Sequence, residues 1–353
     1  MFRKVNQEFL MIHIVIPQSH RLATSPDGEK RPRRLSFYLA MEEYVAYHID
    51  EQDSFFMWQV EPSVIFGRNQ LIENEVNIPF CRERGIQTYR RKSGGGCVYA
   101  DMSNIMFSYI TKDEAVGFTF NRYINMVVLV LRKMGVDAKA SGRNDVMIGD
   151  RKVSGNAFYH VSKRGQMGSG RSIVHGTMLY DTNMENMVGA ITPSDEKLVS
   201  KGVESVRQHI ALLKDHTTMD IEEFKQFVRD NLCEGEIRLT DADVRGIEEI
   251  EKEYLTDEFI YGNNPKYTIT RKGRIDNVGD FELRMELKNG EIRSVVMLGD
   301  YFIVGDVDAM ILKPLKGAML ETEALRKALP DNLEEAILNL KKDDFIRLII
   351  DRQ

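Results

Sequence analysis

The stretch Asp145-Val146-Met147-Ile148-Gly149-Asp150-Arg151-Lys152-Val153-Ser154-Gly155 carries a two-residue turn between two apolar-bearing runs. Gly149-Asp150 fits a hairpin loop, and a loop that short joins antiparallel neighbours, since a parallel crossover needs about a dozen residues or more. Asp145 and Lys152 are therefore expected on paired strands, where both can face one site. Working outward, strands are expected at Ile12 to Ile16, Ser63 to Phe66, Gly96 to Tyr99, Ile105 to Ile110, Val153 to Tyr159, Ser172 to Tyr180 and Val203 to Leu213. Short loops join several of these. The expected class is α+β, with a mixed, largely antiparallel sheet and flanking helices, not a doubly wound parallel sheet.

Helical spacing places Leu35, Leu39, Val45, Ala46 and Ile49 on one helix, and Ile124, Val127, Val128, Leu131 and Met134 on a second closed by Gly135. A third helix is capped by Asp220 with Glu223 reaching back. It buries Ile221, Phe224, Val228 and Leu232 and is expected to stop at Gly235. Gln18 to Arg34 reads as a polar loop. From about Pro265 the pattern changes: Phe281, Leu283, Met285 and Leu287 alternate with polar residues up to Asn289-Gly290, and a second alternating run follows through Ile292 and Leu298. Asn-Gly between alternating runs is a strong hairpin signal. Helical patterns follow through Leu315, Leu320, Leu325, Ile337 and Leu338. The division expected is a catalytic unit at 1–247, a linker at 248–265 and a smaller α+β unit at 266–353.

The chain has 353 residues, 42% of them hydrophobic, so it can bury a core in each of two units. A net charge of -6 argues against a general nucleic-acid binder. The three cysteines, Cys81, Cys97 and Cys233, are far apart and form no Cys-x-x-Cys pair, which points to a reducing compartment without a zinc site. No apolar run spans a bilayer and no signal-peptide pattern is present. The expectation is a cytoplasmic protein with no membrane or nucleic-acid partner.

Chemistry concentrates in three places. In Arg90-Arg91-Lys92-Ser93-Gly94-Gly95-Gly96, positive charge precedes a backbone bare enough for a polyphosphate or an acyl chain to lie against its N–H groups. A bulged strand entry is the commoner meaning of such glycines. No Walker-type or dinucleotide-fold glycine motif occurs, so a nucleotide here would bind on a sheet. Lys152, flanked by Gly149 and Gly155, offers a point charge for a phosphate or a growing oxyanion, and Asp145 is a candidate magnesium carboxylate. Taken alone, Lys152 would be a solvated strand residue. In Arg171-Ser172-Ile173-Val174-His175-Gly176-Thr177, His175 reads as a hydrogen-bonded strand histidine, because no carboxylate partner can be assigned to it. The preceding Gly165-Gln166-Met167-Gly168-Ser169-Gly170 reads as a loop able to close over a ligand.

Together these stretches resemble the lipoate–protein ligase family, which is related to biotin protein ligases and octanoyltransferases. The family's Arg-Arg-x-Ser-Gly-Gly-Gly-x-Val-Tyr pattern stands at Arg90 to Tyr99 and its Gly-Arg-Asn-Asp at Gly142 to Asp145. Its Gly-Asp-Arg-Lys-Val-Ser-Gly stands at Gly149 to Gly155, and its His-Gly-Thr at His175 to Thr177. Phe37 to Glu43 is similar to the family's first helix, and Lys197 to Arg207 to its Lys-Leu-x-x-Lys-Gly-x-x-Ser-Val-Arg segment. Ala100 stands where the family has a histidine, and Leu212 where it has an asparagine.

The resemblance implies a biotin/lipoate ligase-like fold and a two-step reaction. (R)-lipoate and Mg²⁺-ATP would give lipoyl-adenylate, and a lysine of an acceptor lipoyl domain would then take the acyl group. Acceptors would be E2 subunits of 2-oxoacid dehydrogenases or a glycine-cleavage carrier protein, and the ligase itself a monomer. It implies Lys152 as the catalytic residue, nucleotide contacts from Arg91, Gly96, Cys97, Val98, Tyr99 and Lys152, and lipoyl contacts from Gly94, Gly95, Lys152, His175, Gly176 and Thr177. Asp145 would hold Mg²⁺, and the tail would be the accessory domain of the larger ligases. Two other readings remain at this point. One is an ATP-independent octanoyl or lipoyl transferase, which would need a nucleophilic thiol. The other is a non-catalytic binder of lipoate or of lipoyl domains.

Overall fold

The computed structural model describes residues 11–24, 29–49, 53–70, 72–112, 116–141, 144–161, 170–191, 208–261, 269–288 and 290–350. In chain order the strands are β1 Met11–Val15, β2 Leu22–Thr24, β3 Lys30–Pro32, β4 Ser54–Trp58, β5 Ser63–Phe66, β6 Gln87–Arg90, β7 Val98–Ala100, β8 Ile105–Thr111, β9 Ala138–Ala140, β10 Asp145–Ile148, β11 Arg151–Val161, β12 Arg171–Met178, β13 Cys233–Arg238, β14 Ile269–Ile275, β15 Gly279–Lys288 and β16 Glu291–Asp300. The main sheet has the order β13-β1-β4-β8-β12-β11-β10-β9. It is parallel where β1 meets β13 and β4 and antiparallel elsewhere, which makes it the mixed, largely antiparallel sheet expected.

The β8 strand shows why the sheet is central. All seven of its residues are buried. Ile105, Phe107 and Tyr109 pack on one face with the Val116–Lys133 and Ile221–Leu232 helices, and Met106 and Ile110 on the other with the Leu35–His48 and Asp241–Tyr254 helices. Apolar residues at successive positions are what a strand covered on both faces requires. A smaller sheet, β6-β5-β7, carries the basic run at one end and leads into the glycines. The 269–350 region packs β14-β15-β16 against the Thr322–Ala328 and Lys342–Ile350 helices around its own core.

Several local expectations are corrected. Gln18 to Arg34 holds the antiparallel β2–β3 pair. The helix capped by Asp220 has the full capping box but ends at Leu232. Gly235 lies inside β13, opposite Ile12, because the chain passes directly from helix into a strand that β1 recruits. Of the strand expected at Val203 to Leu213, residues 203–207 lie outside the described residues. Ile210 makes only a single bridge to Lys152, and Leu213–His216 is a 3₁₀ turn. In the tail, β15 and β16 form the expected hairpin, while β14 is an added strand. Ile337 bridges Ile303 instead of lying in a helix. Residues 248–254 continue the Asp241–Tyr254 helix, and Ser36 donates to Glu251 at 2.6 Å, so this stretch is packed on the first helix.

Candidate active site

A cavity of about 290 Å³ opens where β11, β12 and the glycine run converge. Leu39, Trp58, Ile65 and Met106 form its apolar wall, and Asn144, Asp145, Lys152, Asn156, His175 and Thr177 its polar one. Among the residues singled out in sequence, Arg91, Gly95, Gly96, Cys97, Val98, Asp145, Lys152, His175, Gly176 and Thr177 all reach it. Gly94 faces a separate cleft, and Tyr99 is buried in the core around Val64 and Phe66. Gly165 to Ser169 and Lys197 to Arg207, the expected lid and the sixth matched segment, lie outside the described residues.

The Lys152 position depends on a break in the hairpin's register. Met147 pairs with Lys152, but Val146 pairs with Ser154, so the extra residue between them forms a bulge. Residues three apart in a strand normally face opposite sides, and the bulge turns Lys152 and Gly155 to the same one. The lysine chain lies over Gly155, where an added Cβ would stand 2.6 Å from its Cε and Nζ. Lys152 Nζ meets Asp145 Oδ1 at 2.8 Å as a close charge pair, and that buried oxygen has no aligned hydrogen-bond donor. Behind them Asn144 and Asn156 each donate a side-chain amide to the other's backbone carbonyl, at 3.0 and 2.9 Å, and so tie the two strands beside the pair.

The basic run is spent inside the protein. Arg90 donates to the carbonyls of Ile260, Arg68 and Gln70 and stacks over Phe66. Lys92 bridges Glu43 and Glu253. Arg91 is buried and staples the glycine run: Nε donates to Ser93 Oγ at 2.9 Å, Nη1 to Ile65 O at 3.1 Å, and Nη2 to Gly94 O and Gly96 O at 2.7 and 2.8 Å. Those bonds use four of a guanidinium's five N–H groups. Burial pulls Arg91 down to about 10, so it stays charged at neutral pH.

His175 has the carboxylate partner that sequence did not supply. Its Nδ1 lies 2.8 Å from Glu42 Oε2, and its Nε2 lies 2.7 Å from Ser93 Oγ. Glu42 comes from the first helix. The available signal was its place on the apolar stripe of Leu35, Leu39 and Ala46, where a carboxylate must find a buried partner. Also unexpected is the 300–302 segment after β16. Gly95 N–H donates to Tyr301 O at 3.2 Å, and a Cβ at Gly95 would touch the Phe302 ring at 3.4 Å. A Cβ at Gly96 would meet the Asp300 carboxylate at 3.2 Å. Asp300 and Phe302 therefore help to line the cavity. What comes close to the glycines is the chain's own C-terminal region.

Cys97 lies in the cavity wall, and burial pushes its thiol up to about 12. Among the described residues, no group of three His, Cys, Asp or Glu side chains is arranged to hold a metal ion.

The fold and site define a two-unit α+β enzyme with a lysine–carboxylate pair in a half-apolar pocket. The family model for the lipoyl protein ligase A/B catalytic domain matches residues 35–233, and that for the bacterial lipoate protein ligase C-terminus matches residues 264–349. The chain is 35% identical over 324 residues to the lipoate-protein ligase LplJ of Bacillus subtilis (strain 168), covering 88% of this chain and 95% of that one. Its fold is similar to that of P. falciparum LipL1 solved with lipoate, with a TM-score of 0.68, 18% identity and coverage of 96% and 98%. It is also similar to the bi-partite lipoate protein ligase of Thermoplasma acidophilum, studied with its E2 lipoyl domain (0.58, 24%, coverage 74% and 99%). A third likeness is to a lipoate-protein ligase A bound with ATP (0.55, 22%, coverage 72% and 98%). The chain belongs to the lipoate–protein ligase family and is a ligase of that class.

Proposed function

We propose that the protein activates lipoate with ATP as lipoyl-adenylate and transfers the lipoyl group to a lysine of an acceptor lipoyl domain. The observation that carries this reading is the Lys152–Asp145 pair at the polar end of a cavity whose other wall is apolar. An eight-carbon acid with a dithiolane tail fits that polarity, with its tail against Leu39, Trp58 and Met106 and its carboxylate toward Lys152. In the first step a lipoate oxygen attacks the α-phosphorus and pyrophosphate leaves. In the second, the acceptor amine attacks the acyl carbon, a proton is lost and AMP leaves. Lys152 would stabilise the charge that grows on the phosphoryl and carbonyl oxygens in both steps.

Magnesium fits the residues present. Mg²⁺ on a nucleotide is commonly held by one or two carboxylates together with the phosphates, and Asp145 offers a buried oxygen with no aligned donor. Mg²⁺ would neutralise phosphate charge there. The cavity lies at the small end of ligand pockets, which span roughly 300–1,000 Å³. Lipoate fills such a space and ATP needs more. A second cavity of about 660 Å³ adjoins this one at Gly96, Cys97 and Asp300, so in this reading the 266–353 region, which supplies Asp300 to Phe302, acts as a movable accessory unit over the nucleotide side. Gly96, Cys97 and Val98, which already reach the cavity wall, would make the nucleotide contacts.

Acceptors of the E2 lipoyl-domain type follow from the same reading, as does a cytoplasmic setting. The thiol route has less support, because a thiol raised to about 12 holds little thiolate at neutral pH. The deciding experiment mixes protein, lipoate and ATP and measures pyrophosphate with and without a lipoyl domain. Pyrophosphate released only with lipoate, together with a lipoylated acceptor, is expected. Acceptor modification without pyrophosphate would return the transferase reading.

A further inference from the structure

The Ser93, His175 and Glu42 side chains form a hydrogen-bonded line that the two chemical steps above do not call on. Glu42 is fully buried, and among the described residues no lysine or arginine pairs with it. Its carboxylate is met instead by His175 Nδ1 at 2.8 Å and by the Ser108 hydroxyl at 2.6 Å, while the Trp58 indole donates to Ser108 at 2.9 Å. Nδ1 thus faces a carboxylate and Nε2 a hydroxyl, so a neutral His175 ring that gives its Nδ1 proton to Glu42 keeps Nε2 as an acceptor. In that tautomer Ser93 donates to Nε2, and its lone pairs turn to the Arg91 Nε–H. One buried carboxylate thus anchors a continuous line of hydrogen bonds from the first helix to Arg91.

Arg91 in turn fixes the glycine run. It holds the carbonyls of Gly94 and Gly96, and in a trans peptide the N–H points away from the C=O. The amides of Gly95 and Cys97 are therefore turned away from Arg91. The Gly95 amide is the one that meets Tyr301 O.

We infer that Glu42 is a positioning residue for the adenylation site. Acting through His175, Ser93 and Arg91, it fixes the direction in which the amides of the glycine run face the ligand. The inference rests on the ligase reading for its kinetic arm only. Charge that develops in the transition state is stabilised by dipoles already aimed at it, so a loosened run costs turnover more than ground-state binding.

The test uses Glu42→Gln in the full chain. Glutamine keeps the size but can present either its oxygen or its NH₂ to His175, so it no longer dictates the polarity. We expect kcat for lipoate-dependent pyrophosphate release to fall by about 10- to 100-fold, the range for partners that orient a functional histidine, with little change in KM for lipoate or ATP. The His175 ring nitrogens, read by NMR, should change from a single Nδ1–H tautomer to a mixture. Ser93→Ala cuts the line without touching Glu42, and it carries the kinetic test if Glu42→Gln does not fold. It should show the same kcat defect with the His175 tautomer intact, and the double variant should be no worse than either single one. Wild-type kcat in either folded variant, or defects that multiply in the double, would overturn the inference. If the wild-type protein releases no pyrophosphate the ligase reading fails, and the tautomer measurement still judges the Glu42 relay by itself.

Discussion

The carbonyl oxygen of Tyr301 lies where a side chain on Gly94 would begin: an added Cβ would stand 2.4 Å from it. Gly94→Ala is therefore expected to prise the C-terminal region off the glycine run. Overlap of this kind costs about 1–3 kcal/mol when the neighbour must shift. Small-angle scattering should show a larger radius of gyration than in wild type, with an unchanged far-ultraviolet spectrum. An unaltered radius would mean that the backbone contact does not hold the two regions together.

Lys152→Ala should fold normally, since the side chain is partly exposed and its loss opens no core cavity. It should lower pyrophosphate release by on the order of 10²–10³, the usual cost of one preorganised charge. Near-normal release from the folded variant would remove Lys152 from the chemistry.

Cys97→Ala should keep most of the ligation activity, because the raised thiol leaves the sulfur mainly protonated. A thioester trapped on wild type, with transfer abolished in the variant, would contradict this.

A chain ending at residue 264 keeps every residue around Lys152 but loses Asp300 to Phe302. It should lose overall ligation from lipoate and ATP far more than transfer from preformed lipoyl-adenylate, because aligning two substrates and a metal depends on closure more than attack on an activated mixed anhydride does. Residues 265–353 added separately should restore part of the first step. Equal loss of both steps in a folded truncated chain would make the C-terminal region a mere stabiliser.

His13 gives a pH dependence. Burial, reinforced by the charge of Arg229, pulls it down from 6.5 to about 4. Above pH 6.5 the ring is neutral whether folded or unfolded, and its contribution to stability is complete. As pH falls from 6.5 to about 4 the unfolded chain takes up a proton that the folded one refuses, and stability is lost. His13→Gln should therefore show a shallower fall in Tm over that window, measured by calorimetry against wild type. Parallel curves would exclude His13 as the titrating group.

Much of this was legible in the residues because local chemistry was decisive there. The Gly149-Asp150 turn placed Asp145 and Lys152 on adjacent strands, and the ordered motifs brought the glycine run and His175 to the same cavity. The bulge at Val153 was not legible, since a shift of one residue depends on the partner strand and leaves no mark in the pattern. Glu42 was hidden for a related reason: its partner is far off in the chain, and periodicity reports a face without saying what covers it. The basic run misled in part. Its charges suggested phosphate contact, yet Arg90 and Lys92 are consumed by carbonyls and by carboxylates from distant segments. The strand Ile269–Ile275 carries Arg271, Lys272 and Arg274 and so lacks the apolar alternation that announced its neighbours.

The parallel pairing of β1 with β13 sets a timetable for synthesis. Met11 must wait for Cys233 before its edge of the sheet can close, so the ribosome releases most of the catalytic unit while that edge is still open. Contacts so remote in sequence are slow to form and leave strand edges exposed to other chains in the meantime. The antiparallel core from β8 to β12 can assemble first and present a finished face. β13 then closes that edge last, beside a β1 that β4 already holds, so until residue 233 is made β1 is the open edge of the sheet.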